Sequence, residues 1–158
     1  MTDLSTIPYV IQGSAETSAP DRAPISDPAM GEIVRYVALG GPAEVERAVA
    51  AEAQAAPAWA ATPPHAWARI MFRFRELVER DIARLAKVIT AEHGKLLSDA
   101  RGEIQRGLEV VEFASGIPQQ LNGDYSEQVG TTIDAVSFRQ PFGVVAGMTA
   151  EFTVLTLG

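Results

Sequence analysis

Apolar positions along residues 67–78 recur at one helical period. Trp67, Ile70, Met71, Phe74, Leu77 and Val78 fall at i, i+3, i+4, i+7, i+10 and i+11, a single stripe with charged residues between them. Such a helix is held by what covers the stripe rather than by its own backbone bonds. A helix over about 42–56 precedes it, Ala-rich, with Gly41-Pro42 at its start, Glu44 and Glu46 in its first turn and Pro57 marking its end. Thr62-Pro63 repeats the start signal, a hydroxyl cap and then proline. Asp81 can cap a third helix that carries Ile82, Leu85, Ala86 and Ile89 and ends at Gly94. A fourth, about 96–115, puts Ile104, Leu108 and Val111 on one face and stops before Pro118.

The ends of the chain follow a different pattern. Ile7–Ile11 and Glu32–Val37 have strand composition, and Ser26-Asp27-Pro28-Ala29-Met30-Gly31 between them supplies turn chemistry, so a hairpin-like arm is expected. After the turn signal Asn122-Gly123-Asp124 the chain becomes extended, with weak alternation over Thr131–Phe138. Gly143–Met148 is apolar on both faces, as in a strand covered by helices on both sides of a parallel sheet. The pattern divides the chain into an extended arm (1–40), a helical layer (41–120), an extended segment with a first sheet strand (121–149) and a tail (150–158). The fold class is α/β.

Composition narrows the chemistry. At 47% hydrophobic and 21% charged the chain is of the globular class, and a net charge of −7 argues against a nucleic-acid partner. No window reaches the ~20 apolar residues of a membrane span, and Met1–Thr6 lacks the basic and apolar regions of a secretory signal, so a cytoplasmic location is expected. With no cysteine and two histidines, the 158 residues contain neither a thiol nucleophile nor a thiolate or histidine-rich metal site.

Three groups of residues are candidates for function. Glu92-His93-Gly94-Lys95 could carry acid–base chemistry, but reads better as a helix end, with Gly94 in the left-handed cap position. Glu103 and Arg106, at i and i+3, fit a solvated helical face, whereas a functional arginine would face a pocket and fork onto a carboxylate. Gly143 and Gly147 do not form the dinucleotide fingerprint. Trp59 and Trp67 are core or helix-junction residues.

Taken in order, several blocks resemble the aldehyde dehydrogenases, most of all the CoA-acylating methylmalonate-semialdehyde branch. They are Ala60-Ala61-Thr62-Pro63-Pro64, Glu92-His93-Gly94-Lys95, Gly102-Glu103-Ile104-Gln105-Arg106-Gly107-Leu108, Gly123-Asp124-Tyr125 and Arg139-Gln140-Pro141-Phe142-Gly143-Val144-Val145-Ala146-Gly147. The resemblance implies an N-terminal β-arm, a four-helix layer and the first strand of a Rossmann-like sheet, with NAD and CoA as cofactors and a small semialdehyde as substrate. It implies that Arg106 binds the substrate carboxylate and that Thr149 lies near NAD. It also implies that Gly130–Pro141 extends as a strand used in subunit contacts, so that the partner is a second copy or a complementing chain. The family pattern continues with Pro-Phe-Asn-Phe-Pro, whose Asn donates to the oxyanion, whereas this chain reads Ala150-Glu151-Phe152-Thr153-Val154. A truncated or frameshifted relative, inactive alone, is therefore expected, with a non-catalytic assembly protein as the alternative.

Overall fold

The computed structural model describes residues 4–147. Five short strands come first: β1 (Thr6–Ile7), β2 (Tyr9–Ile11), β3 (Ser14–Glu16), β4 (Asp21–Ser26) and β5 (Ile33–Leu39). Helices α1 (Pro42–Ala60), α2 (Pro64–Arg80), α3 (Ile82–His93), α4 (Leu97–Ser115) and α5 (Ile117–Gln120) follow, and then strands β6 (Tyr125–Gly130) and β7 (Ile133–Val136).

The arm is richer than one hairpin. β5 is the middle strand of a three-stranded sheet in the order β1-β5-β4, parallel to β1 and antiparallel to β4, while β2 and β3 form a separate antiparallel pair. The predicted turn joins β4 to β5. The Asp27 carboxylate accepts from the Ala29 and Met30 amides at 2.7 and 3.2 Å, and Gly31 takes the positive φ of 73° that closes the turn. Alternation failed to signal β4 because Pro24 and the charged Asp21-Arg22 interrupt it. Pairing with the Val- and Tyr-bearing β5 overrides that composition.

The core lies between three helices, not four. α4 buries Ala100, Ile104 and Leu108 against Val78 of α2 and Ala86 and Ile89 of α3, with Phe74, Ile82 and Leu85 packed at the edge, and Val111 continues the buried stripe at helical spacing. Ser115 prolongs the buried stripe because its hydroxyl donates to the Val111 carbonyl at 2.9 Å. α1 buries no residue and stands outside this core. The α2 stripe is only half covered: Val78 is buried, whereas Ile70 is exposed.

Helix ends depart from expectation in three places. α1 runs through Pro57 to Ala60, because a proline in the last turns forfeits only its own N–H while its carbonyl still accepts from Ala61 at 3.1 Å. Stacking of Trp59 on Trp67, ring centroids 5.9 Å apart, fixes that last turn against α2, which makes both tryptophans junction residues. Thr62 does not cap α2. Its hydroxyl donates back to the Ala58 carbonyl at 3.1 Å, and Pro63 occupies the cap position. Asp81 serves α2 as C-cap and α3 as N-cap through its backbone, while its carboxylate pairs with Arg80 and Arg84 instead of capping. Gly94 ends α3 at φ 82°, as expected.

Past α5 the chain forms a hairpin, β6–β7, which begins at Tyr125, directly after the Asn122-Gly123-Asp124 turn as expected. Asp134 organises it: one carboxylate oxygen accepts from the Gln128 amide and the other from the Tyr125 hydroxyl, both at 2.8 Å. These bonds hold the Asp134 carboxyl below its usual range, with the amide contributing most, and push the Tyr125 phenol up. The depressed carboxyl supports the hairpin fully above its unfolded value near 3.8 and loses that support as pH falls through the lower folded value. The raised phenol supports it below about 10 and ceases to as pH rises through its folded value. The Gln128 amide resonance should therefore shift in acid below the ordinary carboxylate range. Asp134→Asn should abolish that shift, and an unchanged acid limb in the variant would exclude the assignment.

Residues 137–147 belong to no helix or strand, so the strand expected from Gly143 onward is not formed among the described residues. A parallel strand takes both its hydrogen-bond ladders from neighbours, and the described residues provide none beside it.

Candidate functional site

Two faces of α4 do opposite work. The face opposite the core carries Arg106, Val110 and Phe113 at i, i+4 and i+7, all exposed, Val110 by 55% and Phe113 by 66%. Arg106 makes no ion pair among the described residues. Its expected neighbour Glu103 turns away to Lys95, whose ammonium donates to it at 2.5 Å. A guanidinium with five donors and no carboxylate, beside a valine and a phenylalanine, suits a small anion with an apolar stem.

The Glu92–Lys95 corner is structural. Glu92 pairs with Arg35 of β5, Lys95 with Glu103 of α4, and Gly94 sits against Pro28 of the β4–β5 turn. A Cβ at Gly94 would stand 3.2 Å from Pro28 Cβ. The two ion pairs thus tie the arm and α4 to the end of α3, and both carboxylates that acid–base chemistry would need are engaged.

A third feature escaped sequence reasoning. The C-terminal half of α1 and residues 141–144 enclose an open groove of about 550 Å³, lined by Ala53, Pro57, Trp59, Trp67, Phe142 and Val144 among others. The available signal was the run of small residues on α1 leading to a tryptophan. A dinucleotide pyrophosphate needs a cation or a helix N-terminus with free amides, and no cation lines this groove. This groove therefore offers a pyrophosphate no anchoring charge. Thr149 lies outside the described residues. Among those described, no cluster of three metal-ligating side chains occurs, and no helix is long and apolar enough to cross a membrane.

The aldehyde dehydrogenase family model matches residues 15–151. The chain belongs to the aldehyde dehydrogenase family. It is 42% identical over 146 residues to the malonate-semialdehyde dehydrogenase of Pseudomonas aeruginosa, covering 92% of this chain and 29% of that protein. It is 40% identical over 149 residues to malonate-semialdehyde dehydrogenase 2 of Shouchella clausii, covering 94% of this chain and 31% of that one. Among solved structures, a protein of Sinorhizobium meliloti described as a methylmalonate-semialdehyde dehydrogenase, complexed with NAD, superposes with a TM-score of 0.85 at 37% identity, over 90% of this chain and 29% of that one. The methylmalonate-semialdehyde dehydrogenase of Oceanimonas doudoroffii gives 0.83 at 42% identity, over 87% and 28%. This aldehyde dehydrogenase chain thus spans under a third of the length of the relatives it matches. The arm and helical layer expected from the resemblance are those of the family fold.

Proposed function

We propose that this chain is an N-terminal portion of a CoA-acylating, NAD-dependent malonate- or methylmalonate-semialdehyde dehydrogenase, and that Arg106 binds the substrate carboxylate. The observation that supports the role of Arg106 is that it is exposed and makes no ion pair among the described residues, with the exposed Val110 and Phe113 further along the same helical face. The two named relatives and two named structures supply the substrate class. No cysteine occurs in the 158 residues, so the thiol that would attack the aldehyde, with the base and the cofactor cradle, must come from sequence beyond them. The chain alone is accordingly inactive. A cytoplasmic setting, where NAD and CoA are at hand, completes this reading.

A second reading, a non-catalytic assembly protein, is favoured by β6–β7, where Val129, Ile133 and Val136 are all exposed. An isolated two-stranded hairpin is marginal in water, so a second copy or a complementing chain is the partner this surface suits.

The test is reconstitution. The purified chain with malonate semialdehyde, NAD and CoA should form no NADH. Mixed with the remaining sequence of a malonate-semialdehyde dehydrogenase it should become active, and Arg106→Ala should then lower kcat/KM about tenfold to a hundredfold, the worth of a charge-assisted contact. Turnover by the unaccompanied chain would overturn the first expectation. Unchanged kinetics in Arg106→Ala would remove the arginine from the substrate site.

A further inference from the structure

The β2–β3 hairpin is bonded to neither the three-stranded sheet nor β6–β7. It lies against α1, the helix that buries no residue, across an open cleft of about 310 Å³ that Ile11, Gln12 and Ser14 line from one side and Ala50, Ala51 and Gln54 from the other. One ion pair crosses this cleft. The Arg47 guanidinium of α1 donates to Glu16 Oε1 at 2.6 Å, and Glu16 Oε2 accepts from the Tyr9 hydroxyl at 3.1 Å. Tyr9 and Glu16 face each other in the hairpin register, and the Tyr9 hydroxyl, which also lies 2.9 Å from the Ser18 carbonyl, meets Arg47 on the one Glu16 carboxylate. The arginine side chain is half exposed, which leaves the pair open to screening by dissolved ions.

Little else fixes the hairpin. Its strands have three residues each, Val10 is exposed, and Gln12 and Gly13 take positive φ in the turn, so the pair would not persist undocked. We propose that β2–β3 is a strap, latched on α1 by the Glu16–Arg47 pair and released by salt while the α2–α3–α4 core stays folded. Release uncovers the half-buried Ala51 and frees one side of α1. The opposite end of that helix forms the wall of the apolar groove, so the latch sets how firmly the wall is held.

The chain has no cysteine, so Gln12→Cys and Gln54→Cys together accept two spin labels across the cleft without background. At low salt one short label–label distance should dominate. Raising KCl to about 1 M should increase a longer-distance population about threefold, as befits a screened surface pair. With Arg47→Gln added, the long population should already be present at low salt and should not respond further. Exchanging the charges, Glu16→Arg with Arg47→Glu, should restore the short distance and its salt response. Far-ultraviolet dichroism of all variants should keep the helical signal. A single short distance, indifferent both to salt and to Arg47→Gln, would overturn the proposal.

Discussion

Replacing Leu108 with alanine should lower the unfolding free energy by about 2–5 kcal/mol. Leu108 is 2% exposed at the centre of α4, where it meets the buried faces of α2 and α3. Its neighbours Ile104 and Val111 sit on the same rigid helix, so the surroundings can relax into the vacancy only partly. A typical domain has only about 5–15 kcal/mol in total, so the variant should lose a large share of its stability. Urea denaturation followed by dichroism measures this as a lower midpoint with an unchanged slope. Val110→Ala, on the exposed face of the same helix, should change stability by no more than about 0.5 kcal/mol. Equal losses in the two variants would mean that α4 is not packed as described.

Gly123→Ala should damage a different part of the molecule. An added Cβ there would lie 1.8 Å from the Ser137 carbonyl oxygen and 2.8 Å from its carbon, both backbone atoms that no rotamer change can move aside. The chain segments must separate. At this point Ser137 donates its amide to the Asp124 carbonyl and accepts from the Asp124 amide through its hydroxyl, each at 2.8 Å. Arg139 adds a bond to the Gln120 carbonyl at 3.0 Å. Parting them should cost about 1–3 kcal/mol, confined to the base of β6–β7. Limited proteolysis within 121–140 should accelerate several-fold while the helical melting transition stays in place. An unaltered cleavage rate would show that the two segments do not approach this closely.

These two sites also show what the sequence made legible. The α4 stripe was readable because burial on one side of a helix imposes a period, and Ile104, Leu108 and Val111 display it. Gly94 was readable because a left-handed cap has a strong local preference. Gly123 announced a turn, but nothing local told that Ser137 would press against it, since close approach is a tertiary fact. Pro57 misled for a related reason. Its local meaning is termination, yet one lost bond near a helix end is outweighed by the stacked tryptophans that hold the final turn.

The site was legible in a more uneven way. Arg106 stood out through the resemblance, whereas its spacing to Glu103 pointed to a surface ion pair that does not form. The competitor for Glu103 was Lys95, eight residues earlier, brought close by the turn at Gly94. Spacing rules compare positions on one helix and are blind to a partner beyond its end. The expected strand after Gly143 failed on the same ground from the other side: apolarity on both faces states what a segment needs, and not that its neighbours are at hand.

The proline within α1 has an outcome at the edge of the nearby hollow. Pro57 has no N–H, so the Ala53 carbonyl is deprived of the donor that an unbroken helix would offer it. Ala53 and Pro57 both border the hollow, whose other walls are mostly apolar, with Trp59, Trp67 and Phe142 among them. Within the helix that carbonyl therefore lacks its usual i+4 partner at the point where α1 borders the hollow.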